Sequence, residues 1–228
     1  MNRKTRSAGL TWVGVLLGSL LSLPAADQPQ WGQAWSRNQV SPERGLPAIF
    51  DPTSGSNVLW SVELGTETHG SPIVAGGRVY IGTNNGHPRD ARHHGDRGVL
   101  FCLDERDGGL LWQLIVPKRT EDIYLDWPNS GICSPATVEG DRVYLVNNRG
   151  EVLCLDARGM ADGNQGPFVE EASHALPQTE PKPSGAVPPC GPLDADILWL
   201  FDLTADAGIY SHDAAHSSIL VRGDHLYL

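Results

Sequence analysis

The strongest constraint on this chain is that it repeats itself. Ser71 to Gly86 reads "SPIVAGGRVYIGTNNG", and Ser134 to Gly150 reads "SPATVEGDRVYLVNNRG". Each stretch leads into a cysteine phrase, "GVLFCLDERDGGLLW" from Gly98 and "GEVLCLD" from Gly150, which places Cys102 and Cys154 52 residues apart. The opening of the pattern returns a third time as "SSILVRGDHLYL", Ser217 to Leu228. In each copy one apolar run ends at Gly76-Gly77, Gly140-Asp141 or Gly223-Asp224 and another starts at once. Turns that tight need positive φ, which Gly supplies and Asp tolerates.

A third run carries "FCLD" or "LCLD". A fourth carries tryptophan, with Trp60, Trp112 and Trp199 in "VLWSVEL", "LLWQLIV" and "ILWLFDL". Short runs rich in Val, Ile, Leu, Tyr and Trp, punctuated by Gly, Asp and Asn, predict strands. No sustained helical period follows the first apolar segment, so the expected class is all-β. Four short antiparallel strands per unit, recurring with loops of variable length, predict a β-propeller of four-stranded blades, incomplete at about two to three blades. A β-sandwich with long insertions is the rival, but it has no need of the same four-strand phrase twice.

Ahead of the repeats, Arg3, Lys4 and Arg6 precede "LTWVGVLLGSLLSL" and then "PAA". That order is the pattern of a secretory signal peptide, expected over 1–26. The apolar run of 14 residues, Leu10 to Leu23, is shorter than the roughly 20 a membrane span needs. The first cysteine is Cys102, so no lipid-anchor cysteine follows the signal, and a secreted or periplasmic chain without a membrane span is expected. Removing those three basic residues and no acidic ones leaves 14 Lys+Arg against 27 Asp+Glu, a formal charge of −13. Such a surface repels nucleic acid and anionic membranes, leaving a protein or a small molecule as the expected partner. A Trp- and Pro-rich leader is expected over 27–54, the partial propeller over 55–228, and a Pro-rich insertion that adds little core at about 160–196. Cys102 and Cys154 lie in strand patterns where a buried thiol packs like a small apolar group.

The phrase "CLDERDGGLLW" resembles the repeat of pyrroloquinoline quinone (PQQ)-like propellers, in which alanine-x-aspartate, a threonine-glycine turn and a closing tryptophan recur. Cys102 stands for the alanine, Asp104 for the aspartate, Asp107 and Gly108 for the turn, and Trp112 for the tryptophan. The second copy keeps Cys154 and Asp156 but continues "ARGMADGNQGPF", and its tryptophan, Trp199, arrives only after the insertion. "PQWGQAWSRNQVSPERGLP" is similar to the leader of secreted bacterial members, and the resemblance spans most of 28–228. It implies that the turn residues close a blade and that Trp60, Trp112 and Trp199 stack between blades. The family has seven or eight blades, so the resemblance implies an N-terminal fragment or a truncated reading frame.

The resemblance also implies two rival activities for a chain otherwise expected to bind or scaffold. One is a quinoprotein oxidoreductase, with PQQ held beside Ca²⁺ against an indole and an adjacent-cysteine disulfide. The cysteines of this chain stand at least 21 residues apart, so that apparatus is expected, if anywhere, in missing blades. The other is an outer-membrane assembly propeller, disfavoured by the missing anchor cysteine.

Four local clusters carry chemistry-bearing residues. "HPRDARHHGD" gathers His87, His93 and His94 with Asp90 and Asp96, a weak metal candidate because Arg89, Arg92 and Arg97 oppose a cation. "DGNQG" offers Asp162 and Asn164 as calcium-type ligands, but position 173 is serine where a bidentate glutamate is required. "YSHDAAHSS" sets His212, Asp213, His216 and Ser217 together, which is poor grounds for a triad, since triads converge from distant segments. Trp127, in "LDWPNSG", is the tryptophan expected to face a ligand. No catalytic constellation is expected from these residues.

Overall fold

The computed structural model describes residues 26–34, 36–119, 124, 126–178, 187–210 and 212–228. The expected signal segment lies outside these except for Ala26, and so does Trp35. Among the described residues the protein is all-β, built from antiparallel sheets. The first sheet is the meander β1 (Ile73–Ala75), β2 (Arg78–Asn84), β3 (Arg97–Asp104) and β4 (Leu110–Pro117). The second repeats it as β5 (Thr137–Glu139), β6 (Arg142–Val146), β7 (Glu151–Asp156) and β8 (Ile197–Asp202). A hairpin of β9 (Leu220–Arg222) and β10 (His225–Tyr227) follows. Two short helices interrupt the pattern, α1 (Glu171–His174) and α2 (Leu203–Ala207). No helix among the described residues is long and apolar enough to cross a membrane.

The sequence repeat becomes a repeat of register. Tyr80 pairs with Cys102 and Cys102 with Trp112; Tyr144 pairs with Cys154 and Cys154 with Trp199. A bulge follows each cysteine, at Cys102/Leu103 and Cys154/Leu155. Asp104 and Asp156 each accept the N–H two residues on, from Arg106 (2.9 Å) and Arg158 (2.7 Å), which starts both turns alike. The hairpin turns correct one expectation. Gly76 and Gly77 both have positive φ, whereas Gly140 and Gly223 have it and Asp141 and Asp224 do not. The latter is the pattern of a II′ turn, in which only the first central residue needs the left-handed region.

Alternation along the strands gives each sheet two apolar faces, and the layers stack through them. Tyr80, Leu100, Cys102, Trp112 and Leu114 of the first sheet share one core with Val143, Leu145, Leu153, Leu155 and Ile197 of the second. The outer face of the first sheet, Val79, Ile81, Val99, Phe101 and Leu103, packs under Trp60, Val62 and Leu64. The far face of the second, Val146 and Val152 with Tyr144 and Trp199, packs against Ile219, Val221 and Leu226. "VLWSVEL" is therefore a covering segment, not the strand expected from its pattern.

Flanking segments lace the layers together. The leader crosses the first strands of both sheets, with Gln28 N donating to Val74 O (2.7 Å) and Val138 N to Pro29 O (2.6 Å). Arg37 then reaches Ser218 near the third hairpin. On the opposite edge, Gln113 of β4 pairs with residues 193–195 of the insertion. The insertion also gives Ala195 and Phe168 to the main core, more than its proline content predicts.

Candidate functional site

The meander topology sorts the connections by end. The turns at 76–77, 105–109, 140–141 and 223–224 lie at one end, where the 157–196 insertion also leaves, and the β2–β3, β4–β5, β6–β7 and β8–β9 connections leave from the other. Asn84 starts the network that joins them, donating to Asn129 O (2.9 Å) while its Oδ1 accepts from Thr66 N and Gly86 N. Asp126, 3% exposed, pairs with Lys118 and accepts from Arg119 N and Asn148 Nδ2, both at 2.9 Å. Burial pushes its carboxyl above the ordinary range, against the pull of Lys118. Arg119 in turn donates to Arg149 O (2.8 Å) and to Thr204 Oγ1 (3.2 Å), tying the β8–β9 connection to the β6–β7 turn.

Beside this lies a second buried cluster. Glu151 accepts from Arg149 (2.6 Å), from His174 Nε2 (2.8 Å) and from Asn147 Nδ2 (2.5 Å). Burial alone would raise the Glu151 carboxyl, but His174, Arg149 and Asn147 outweigh it and hold it below the usual range. Arg97 donates to Ala175 O (2.8 Å), so helix α1 is pinned to both sheets.

An aromatic platform stands on this braced end. Trp127, 46% exposed, meets Tyr124 edge-on at 6.4 Å, and Tyr124 lies over His212 at 6.4 Å and 30°. Trp127 therefore faces outward with the Tyr124 ring beside it and His212 on Tyr124, while its neighbour Asp126 is buried beneath. The "YSHDAAHSS" residues reach the site through the His212 ring and through the Asp213 N–H, which donates to Tyr124 O (2.5 Å). Asp213 and His216 stand 4.0 Å apart, and the Ser217 carbonyl accepts from Ser134 Oγ.

The histidines of the first loop do not converge. His87 is exposed beside Glu63 and the Leu64 carbonyl, each at 3.2 Å. His93 is buried, and burial followed by the Arg97 charge lowers its pKa. His94 is exposed, and its carbonyl accepts from Arg97 Nε. Arg92 bonds Asp90, Asp194 and Pro189 O, so this loop is anchored to the insertion. Asp162 pairs with Arg158 (3.0 Å), and Asn164 donates to Glu171 (2.9 Å). Among the described residues no group of three or more His, Cys, Asp or Glu is arranged to hold a metal.

The residues of the cysteine phrase belong to the layers. Trp60 Nε1 donates to Glu105 O (2.8 Å) and Trp112 Nε1 to Ala157 O (2.9 Å), the same place in successive sheets. Gly108 lies under the Trp60 ring and Gly159 under the Trp112 ring, where a Cβ would come within 2.7 Å. Trp199 repeats the tilt of Trp112 against its tyrosine, 6.2 Å and 47° beside 5.9 Å and 55°. All four cysteines are free. Burial pushes Cys102 up to about 12 and Cys133 and Cys190 up to about 11, which keeps these thiols protonated at neutral pH.

Reading the sequence missed Asp126, Lys118, Asn148, Glu151 and His174. The doubled "NN" of the repeat was the available signal, since both copies place an asparagine where the loops meet. No family model matches the chain, and no curated protein matches it.

Proposed function

We propose that this chain is a secreted or periplasmic module of the PQQ-like repeat class, its sheets being propeller blades, and that it binds or scaffolds a partner through its loop end. The repeated tryptophan contact, Trp60 to Glu105 and Trp112 to Ala157, supports the blade reading, because it joins successive layers by one rule. The observation that carries the function is Trp127, exposed beside Tyr124, which in turn packs on His212, on loops braced from beneath by the buried Asp126–Lys118 pair. Function collects on loops held by a rigid scaffold, and Trp and Tyr dominate binding hot spots. Protonated, buried thiols suit packing and not nucleophilic attack.

A photo-crosslinking residue at position 127 tests this reading, with one at exposed Ser173 as control. The expected result is a discrete crosslinked species from position 127 alone, lost when Asp126→Asn loosens the loop. Equal labelling from both positions would overturn it. Titration with PQQ and Ca²⁺, followed by absorbance, separates the rival: a saturable change would establish quinoprotein chemistry instead.

A further inference from the structure

The segment 163–176 straps the outer edges of both sheets and roofs a small cavity lined by Gln113, Leu114, Glu171, His174, Cys190 and Ile197. Its attachment at the β8 end rests on two buried carboxylates. Asp196, 0% exposed, accepts the Gln165 N–H on Oδ2 (2.8 Å), while its Oδ1 is buried with no hydrogen-bond donor. Glu171, 6% exposed, accepts from Asn164 Nδ2 (2.9 Å) and weakly from Ile197 N (3.4 Å). The loop between them is drawn tightly down, since Gly166 lies where a Cβ would stand 2.8 Å from Leu198 O.

We propose that Asp196 is a pH-operated latch, holding the 163–176 strap on β8 when its carboxyl is protonated and releasing it when the carboxyl ionises. A neutral carboxyl keeps the Gln165 N–H on its carbonyl oxygen and leaves no buried charge. An ionised one has a single donor for two oxygens, and a buried carboxylate so poorly paired is costly. The groups facing it from the packed elements make this worse. Glu171 stands on α1, Asp156 at the end of β7 and Asp162 on the 159–162 turn, each adding negative charge, while Cys190 on the insertion faces it as a neutral thiol and Arg158 is engaged with Asp162. Lifting the loop at Gly163 and Gly166, both at positive φ, hydrates the charge without disturbing the sheets.

Burial raises the Asp196 carboxyl to about 6, with the Gln165 N–H pulling back and the neighbouring carboxylates adding to the rise. With the proton bound more tightly in the closed form, closure is firmest near pH 4 and weakens as pH rises through 6. Hydrogen exchange over 163–176, corrected for its intrinsic pH dependence, tests the latch. The opening constant is expected to be about twentyfold larger at pH 7 than at pH 4.5, and nearly equal at the two in Asp196→Asn. A wild-type constant that is flat or falls with pH, or a variant that keeps the full rise, would overturn the proposal. Should Asp196→Asn fail to fold, carbon-detected NMR of the wild-type carboxyl decides: a midpoint near 6 supports the latch, and one below about 4.5 sinks it.

Discussion

A methyl group at residue 159 would sit 2.7 Å from the Trp112 ring, and one at residue 140 would meet nothing within 4 Å, yet the two glycines have nearly the same φ, 59° and 58°. They form a matched pair that separates backbone strain from packing. Gly140→Ala carries the strain alone, about 1 kcal/mol. Gly159→Ala adds displacement of a fully buried indole from its bond to Ala157 O, and is expected to cost about 2–4 kcal/mol. Urea unfolding of both variants checks the difference, and equal losses would mean that the ring gives way freely. The glycine itself was legible in the sequence, but its role was not. After Asp156 the second copy departs from the first, and only the fold shows that Gly159 does what Gly108 does.

At the scale of elements, the 163–176 strap is held by carboxylates that respond to pH in opposite senses. Glu151, whose carboxyl is depressed by its partners, contributes stability that is present above its unfolded value of about 4.3 and lost as pH falls below that. Asp196 has the reverse sign. Glu151→Gln removes the buried carboxylate that Arg149 and His174 share and is expected to cost about 3–5 kcal/mol at pH 7. In urea titrations from pH 7 to pH 3 the variant should also lose the steep acid limb of the wild type. The strands of both sheets were legible because short apolar runs between Gly turns have few other uses. The strap was not, because proline content says nothing about a buried Glu171 or a bridge from Gln113 to Asp194. The loop-end network was hidden for a related reason: Asp126, Asn148 and Lys118 converge across 30 residues, and no local pattern signals convergence.

Across the whole molecule, neither sheet owns its core. The largest apolar cluster draws on β2, β3, β4, β6, β7 and β8 together, while the leader and the insertion tie opposite edges of the pair. A polypeptide of residues 58–118 would therefore expose Tyr80, Leu100, Cys102 and Trp112 to water and is expected to remain unfolded by far-UV circular dichroism. The full chain is expected to unfold in one transition, coincident by tryptophan fluorescence and circular dichroism. Two separated transitions would show that the layers are independent.

The indole contacts also have a direction. Trp60 reaches forward from the segment before the first sheet to that sheet's turn, and Trp112 reaches forward from the first sheet to the turn of the second. A duplication that adds one more copy at the hairpin side inherits a finished joint, because the incoming turn needs only a carbonyl and a glycine at the right places. A head-to-tail joint of this kind lets a lineage lengthen or shorten its array by recombination without inventing a new interface. Drift in the second copy's turn is tolerated as long as Ala157 O and Gly159 stay put, and this chain displays that licence.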